Sequence, residues 1–422
     1  MATKTVNNTN VYMQVAGLDI GNGGVKGTIG SNVAGESHID IPSVASRNYA
    51  ESREDEIRTP LSEVENKIED IYNYLDATYE TPCLDEPGRY FIGLHSMETN
   101  GYQMIFETGN SKNKSDQSLS FILTLGCIAG KALQDAWQVG HKLPETIDVS
   151  VEVVTLALPI QEFRRYREIY ASKYKNTTHK VTIQNFEQDV VVNIVFKNVQ
   201  VLAEGAAAMY AIRDGGVDLA NQLIKDAQES SVQTIELTGD DIYSARAVMG
   251  VDIGEGTTNF PIYDAKGNFN ADASTSINNG YGVVLDDANK KLGEKGFRFE
   301  NRHVLQEYLN NPQNRTFKRL QYAAVREVVD KSIENFAKQI ADVYMHTIKD
   351  FNAQILVVYV YGGGATAMKY DFFNNIVKKT RDLNGGMDAQ PILYFGEDRA
   401  RFLNRDGLYI AAKRILEIMQ AK

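Results

Sequence analysis

The chain has 422 residues, 43% of them apolar and 23% charged, enough for two or more domains with their own cores. A formal charge of −11 argues against a bare nucleic-acid binder, which needs a basic face to displace counterions. Cys83 and Cys127 are too few and too scattered for a disulfide framework or a metal site and fit a reducing cytoplasm, and neither an 18-residue apolar run nor a charged-then-apolar N-terminus is present to suggest a membrane span or a secretory signal.

Residues 1–10 are polar and expected to be disordered. Alternating apolar residues then predict strands at Val11–Ile20, Val25–Ile29 and His38–Ile41, with glycines at the turns. Ser46–Pro60 reads as a charged loop. An amphipathic helix is expected over Leu61–Leu75, where Leu61, Val64, Ile68, Ile71, Tyr72 and Leu75 share a face. After a short strand at Tyr90–Leu94, Ser118 is placed as the cap of a buried helix running to about Val139. Further on, Ile147–Leu158 reads as a strand, Gln161–Tyr170 as a helix, and Lys180–Ile183 with Val190–Phe196 as a hairpin.

Val199–Ile212 begins as a strand and becomes a helix of very small residues, suited to a crossing between domains. Asp214–Asp240, polar and weakly patterned, reads as a surface insertion. Helices follow at Val283–Leu292, Arg302–Leu309 and Phe317–Asp350, the last long enough that a break is expected within it. Gln354–Tyr361 has the β-branched, apolar character of a buried parallel strand and ends in Gly362-Gly363-Gly364 ahead of another helix. A strand at Pro391–Gly396 and a helix from Asn404 to Met419 close the chain, with Asn404 as N-cap at a second crossing. Asp264 and Asp272 read as turn residues.

One stretch occurs twice. Val15–Ile29 slides onto Val248–Ile262 at a constant offset of 233 residues, which superposes Val15, Gly17, Asp19, Ile20, Gly21, Gly23 and Ile29 on identical residues. Each copy reads as an apolar strand, an aspartate at its end, a glycine turn and a second strand. Successive N–H groups in such a turn form an anion-binding nest. Two such hairpins facing one another would hold a polyphosphate, with Asp19 and Asp252 approaching its Mg²⁺ through water, since Mg²⁺ gives up its waters reluctantly. A single copy would be merely a turn.

The ordered set resembles the actin, Hsp70 and sugar-kinase ATPase fold over essentially the whole chain: Asp19-Ile-Gly, the small-residue helix after Glu204, Asp252-Ile-Gly-Glu-Gly-Thr-Thr, Val360-Tyr-Gly-Gly-Gly-Ala and Asn404-x-x-Gly407. Chain length, Lys26 and the Ala-Glu-Gly at Glu204 look most like the bacterial actin-like proteins of the ParM/StbA plasmid-segregation type. The resemblance implies an α/β actin-like fold, two related ribonuclease-H-like domains around a central nucleotide cleft. Residues 1–203 with 396–422 would form the first domain and residues 204–395 the second.

On that resemblance the ligand is ATP or GTP with Mg²⁺. Asp19 and Asp252 would organise the metal and its water. Lys26 would meet the β- and γ-phosphates. The backbone of Gly21, Asn22, Gly23 and Gly24 and of Gly254 to Thr258, including Gly256, would bind phosphate oxygens together with the Thr257 and Thr258 hydroxyls. Glu204 would position the attacking water, and Gly362, Gly363 and Gly364 would pack on the adenosine. Each has an alternative: Lys26 as a solvated strand residue, Glu204 as a cap of the following helix, and only one of two successive threonines facing the ligand. Glu255 departs from relatives that carry a third glycine, and its charge would repel a polyphosphate unless it points outward.

The implied function is a cytoplasmic ATPase that polymerises into dynamic filaments and segregates plasmid DNA through a DNA-bound adaptor protein. Neither direct nucleic-acid binding nor a membrane is expected. The alternative is a small-molecule kinase of the sugar-kinase type, which would need an acceptor pocket and a general base. A chaperone-like nucleotide sensor is a third reading, disfavoured because no substrate-binding domain follows.

Overall fold

The computed structural model describes residues 11–49, 58–99, 101–107, 112–229, 233–350, 355–383 and 390–421. The expectations for residues 1–10, for most of the 46–60 loop and for Gln354 fall wholly or partly outside these. The chain folds as two compact units, one of residues 1–158, 162–203 and 405–422, the other of residues 159–161 and 204–404.

The first unit holds strands β1 (Val11–Ile20), β2 (Gly24–Ser31), β3 (Ser37–Pro42), β4 (Ala45–Asn48), β5 (Asp76–Glu80), β6 (Gly88–Ile92), β7 (Gln103–Met104), β8 (Thr146–Leu158), β9 (Thr178–Ile183), β10 (Val190–Phe196) and β11 (Val199–Ala203). They form a single sheet in the order β3-β2-β1-β8-β10-β9-β5-β6-β4-β7, with β11 also paired to β8. β1 to β3 form an antiparallel meander, whereas β8 runs parallel to β1, β10 and β11. That parallel role explains the dense apolar run of β8, most of whose residues are buried whichever face they point to. Helix Ser118–Gly140 packs in this core, and although it is long and apolar enough to cross a membrane, 94% of that window is buried within the protein. The closing helix Leu403–Gln420 is anchored here by the Thr155 hydroxyl, which donates to Leu408 O at 2.7 Å.

The second unit holds β12 (Val248–Ile253), β13 (Thr258–Phe260), β14 (Thr275–Ile277), β15 (Val357–Tyr361) and β16 (Ile392–Tyr394), in the order β14-β13-β12-β15-β16. β12 to β14 are again antiparallel, and β15 is parallel to both β12 and β16. The sequence repeat is thus a repeat of topology, with β3-β2-β1-β8 matched by β14-β13-β12-β15. The second core is made by helices Tyr281–Glu294, Arg302–Asn310, Arg319–Asp350 and Ala365–Leu383.

Several expectations are corrected. Leu61–Leu75 is not one helix but a 3₁₀ turn at Leu61–Glu63 and short helices at Val64–Ile68 and Ile71–Tyr74. Val64, Ile68, Ile71, Tyr72 and Leu75 are buried as the spacing requires, while Leu61 is exposed. Asp70 interrupts the helix by accepting from Asn73 through both its backbone and its side chain. Strand β5, Asp-Ala-Thr-Tyr-Glu, has no apolar pattern to betray it; it is held by β9, β6 and a two-bonded Arg89–Asp76 pair. Ser118 is the first helical residue and not the cap, its hydroxyl being engaged with Asp85.

Within Asp214–Asp240, no surface insertion is found but a helix, Gly216–Glu229, which buries Leu219, Ala220, Leu223, Ile224 and Ala227 and packs against β16. Its apolar stripe is narrow enough to be masked by the polar residues around it. Phe317–Asp350 resolves into Pro312–Phe317 and an unbroken helix Arg319–Asp350, supported along its length by the second core. Residues 396–404, assigned above to the first domain, lie with the second unit, where Gly362 N–H donates to Ala400 O at 3.0 Å.

Candidate functional site

The two glycine turns close identically. Gly21 N–H donates to Gly24 O at 3.1 Å, and Gly254 N–H donates to Thr257 O at 2.9 Å. Both first glycines therefore use their N–H groups within the turn. The N–H groups of Asn22 and Gly23, and of Glu255 and Gly256, lie at the turn tips as candidate anion donors. In the first unit the Ser43 hydroxyl donates to Gly21 O at 2.5 Å, fixing the turn to the end of β3.

Register decides what stands beside each aspartate. Lys26 is directly opposite Asp19 on β1 and opposite Asp40 on β3, so these three side chains share one face of the sheet. In the second unit the same position, opposite Asp252, is held by Asn259. The duplicated scaffold carries a cation in one copy and a neutral amide in the other.

Asp252 is 4% exposed and is built in from several directions. Asn404 Nδ2 donates to its Oδ2 at 2.8 Å. Asn404 is therefore a partner of the carboxylate from inside the helix that begins at Leu403, not the N-cap expected. Gly205, at φ +77°, and Gly362, at φ +98°, adopt the left-handed backbone that glycine tolerates, and both crowd the same side chain. A Cβ on Gly362 would lie 2.5 Å from Asp252 Oδ1, and one on Gly205 3.2 Å from Asp252 Cβ.

Beside this carboxylate, Asn259 Oδ1 and Asn404 Oδ1 are buried without a hydrogen-bond partner. Two orphaned acceptors next to a buried carboxylate suit a hydrated divalent cation, whose waters donate to them. Among the described residues no group of three or more His, Cys, Asp or Glu side chains is arranged to hold a metal. Mg²⁺, which keeps most of its waters, is a hydrated divalent cation of that kind.

Glu204 is half-buried in the turn that leads into helix Ala208–Asp214. The N-cap residue of that helix is Ala207, in helical conformation. The turn is pinned by two buried phenols: Tyr361 donates to Gly205 O at 2.6 Å and Tyr263 to Ala206 O at 2.5 Å. Burial, then the charge of Asp252, hold the Tyr361 hydroxyl well above its ordinary pKa, which keeps it a donor.

The threonines divide. Thr258 is fully buried and donates to Asn279 O at 2.7 Å, whereas Thr257 is partly exposed in the turn. Gly362 and Gly364 are buried, with Gly364 N–H donating to Ile253 O at 2.8 Å, and Gly363 alone of the triplet is exposed.

Glu255 does not stand as a bare charge. Arg302 Nη2 lies 2.7 Å from its Oε1, and Nη1 of the same guanidinium 3.0 Å from Asp286 Oδ2. Gly282 N–H also donates to Glu255 O at 2.8 Å and Tyr281 N–H to Gly254 O at 2.9 Å, so the start of helix Tyr281–Glu294 is spliced onto the turn. Sequence reasoning missed Arg302, Asn259, Asn404 as a partner of Asp252, and Gly205. Asn259 was discoverable, since it is the repeat's counterpart of Lys26, but Arg302 lies 47 residues beyond Glu255 with no motif to mark it.

A family model described as the C-terminal part of archaeal actin homologue, MreB-like, proteins matches residues 250–373, which contain the second turn and the glycine triplet. Among solved structures the chain is similar to the actin-like protein Alp7A, at 17% identity and a TM-score of 0.63 over 96% of this chain and 97% of that one. It is similar to Bacillus thuringiensis ParM with ATP, at 14% identity and 0.59 over 96% and 99%. A third likeness is to an archaeal actin homologue, at 15% identity and 0.57 over 96% and 100%. No curated protein matches the chain. At these identities the likeness is one of fold, and the chain has the actin-like α/β fold. The resemblance read from its motifs is borne out at that level.

Proposed function

We propose that this chain is an actin-like nucleotide hydrolase that assembles into filaments, with both glycine turns serving one nucleotide. The observation that carries the reading is the duplicated turn: the same closing bond, the same aspartate position and the same strand order in both units. The fold neighbours include Bacillus thuringiensis ParM with ATP, with ADP and with AMPPNP, which supports a nucleotide as the ligand. The two units described above would be the two domains.

In this mechanism the turn N–H groups and the Thr257 hydroxyl hold phosphate oxygens, and Lys26 adds a point charge. Asp19 and Asp252 would hold a hydrated Mg²⁺, and the amide oxygens of Asn259 and Asn404 would accept from its waters; the ion would supply neutralisation of the phosphate charge. Glu204 orients the attacking water in line, and the backbone at Gly363 packs on the adenosine. Little covalent chemistry is asked of the protein, so positioning and electrostatics supply the rate. Arg302, shared with Asp286, offsets part of the charge of Glu255 and so reduces the repulsion that this residue would otherwise impose. Plasmid segregation through a DNA-bound adaptor in the cytoplasm is the further proposal that the ParM likeness supports, and the acidic charge suits an indirect DNA contact.

Light scattering after addition of Mg-ATP, with phosphate release followed in the same cuvette, tests the reading. A rise that decays as phosphate appears is expected. No polymer over a wide protein range would remove the filament. In Glu204→Ala, phosphate release should slow about 100-fold while ATP affinity and assembly persist; an equal loss of affinity would make Glu204 structural.

A further inference from the structure

We propose that the chain carries both halves of one self-assembly contact: an apolar, basic corner at Phe317–Leu320 that seats in an acidic pocket on a second copy. The inference rests on the filament reading above and names the surfaces that it leaves open.

The corner is where helix Pro312–Phe317 meets helix Arg319–Asp350. Lys318, at φ −113° and ψ 39°, interrupts the helical path between them. Phe317 is 83% exposed and Leu320 88%, among the most exposed large apolar side chains described. Arg315, Lys318 and Arg319 surround them, all exposed, and none of the three takes part in an ion pair among the described residues. No acidic residue occurs between Glu307 and Glu327. Among the described residues, this Phe–Leu pair stays exposed and the three cations that frame it have no ion-pair partner.

The first unit offers the complement. An open pocket of about 620 Å³ lies between β3, the short helices at Val64–Tyr74 and helix Ser118–Gly140. Ile68, Tyr72 and Trp137 contribute its apolar surface, and Glu65, Glu69 and Asp70 its exposed acidic rim. No lysine or arginine lines it. The volume accommodates a phenylalanine and a leucine side chain together, and the carboxylates match the cations that flank them. An apolar anchor in a pocket with opposite charges at the rim is how protein contacts concentrate their affinity.

Because the corner and the pocket are different surfaces, a contact between them is heterologous: each copy that offers its corner still has a pocket to fill. Such a contact propagates into a helical polymer unless its rotation closes a ring. Charge at the rim also makes assembly sensitive to ionic strength.

The test is sedimentation of the full-length protein with Mg-ATP in four forms: wild type, Lys318→Glu with Arg319→Glu, Glu65→Lys with Glu69→Lys, and all four changes together. Each two-residue reversal is expected to raise the concentration needed for polymer at least tenfold, with ATP binding unchanged as evidence of folding, and the fourfold variant to return it to within about threefold of wild type. Phe317→Ser with Leu320→Ser should abolish the polymer without changing any charge. A wild-type polymer indifferent to both reversals, or a fourfold variant worse than either, removes this contact and leaves filament assembly standing. A wild-type chain that stays monomeric at every concentration removes the filament reading, and the contact with it.

Discussion

The two glycine turns share a backbone and differ in how each handles charge. In the first, a partly exposed Asp19 faces Lys26, which in turn faces Asp40 across the neighbouring strand. In the second, Asp252 is buried, faces the neutral Asn259, and accepts a hydrogen bond from Asn404. The second turn also carries an extra carboxylate, Glu255, and pairs it with Arg302 from a distant helix, which Glu255 shares with Asp286. The lesson is that the hydrogen-bonded geometry has been kept while its electrostatic environment has diverged. The first turn carries a cation, and the second a carboxylate with orphaned amide oxygens around it.

That contrast can be broken most severely at Gly362. A Cβ there meets Asp252 Oδ1 and Ile253 O at a backbone φ that alanine resists, so Gly362→Ala should displace the carboxylate and cut phosphate release by roughly 100- to 1,000-fold, the usual cost of losing a preorganised electrostatic group. In the first turn, Gly24→Ala meets only Ile41 O, at 3.1 Å, and is expected to do far less. Equal losses in the two variants, measured as turnover of folded protein, would contradict the asymmetry.

Arg302→Ala sharpens the comparison. It leaves Glu255 uncompensated in the second turn, and ATP affinity should fall about tenfold, with the double variant Glu255→Ala, Arg302→Ala restored to near wild type. A double variant as weak as the single one would make Arg302 a packing residue. Lys26→Asn converts the first turn to the charge of the second; ATP affinity should drop several-fold and its salt dependence should flatten. Unchanged salt dependence would place Lys26 in solvent.

Smallest is the effect at the threonines. Thr257→Val should weaken ATP binding about threefold. Thr258→Val should leave affinity alone but cost stability, on the order of 1–3 kcal/mol, because Asn279 O loses a buried donor. Chemical denaturation beside nucleotide titration separates the two.

Much of this was legible in the sequence. The repeat placed both turns and both aspartates, and the buried strand before it placed the glycine triplet, because a backbone that must bend tightly beside a charged group restricts residue type over a short span. Segments that take their order from elsewhere were harder to see. Strand β5 is polar and is held by neighbours on both sides, and helix Gly216–Glu229 hides a five-residue apolar stripe among charges. The broken helix at Leu61–Leu75 kept its apolar spacing across the break, since both pieces pack on one core. At the site, Asn404 and Arg302 are long-range partners in sequence, and no local pattern carries information about which side chain answers a charge 47 or 152 residues away.

The most direct test of the central claim is an equilibrium titration of wild type, Asp19→Ala and Asp252→Ala with labelled ATP in the presence of Mg²⁺. The account predicts one nucleotide per chain in the wild type and a loss of affinity for that same nucleotide in both variants. Two nucleotides per chain, or full affinity in either variant, would mean that the two turns do not serve one ligand.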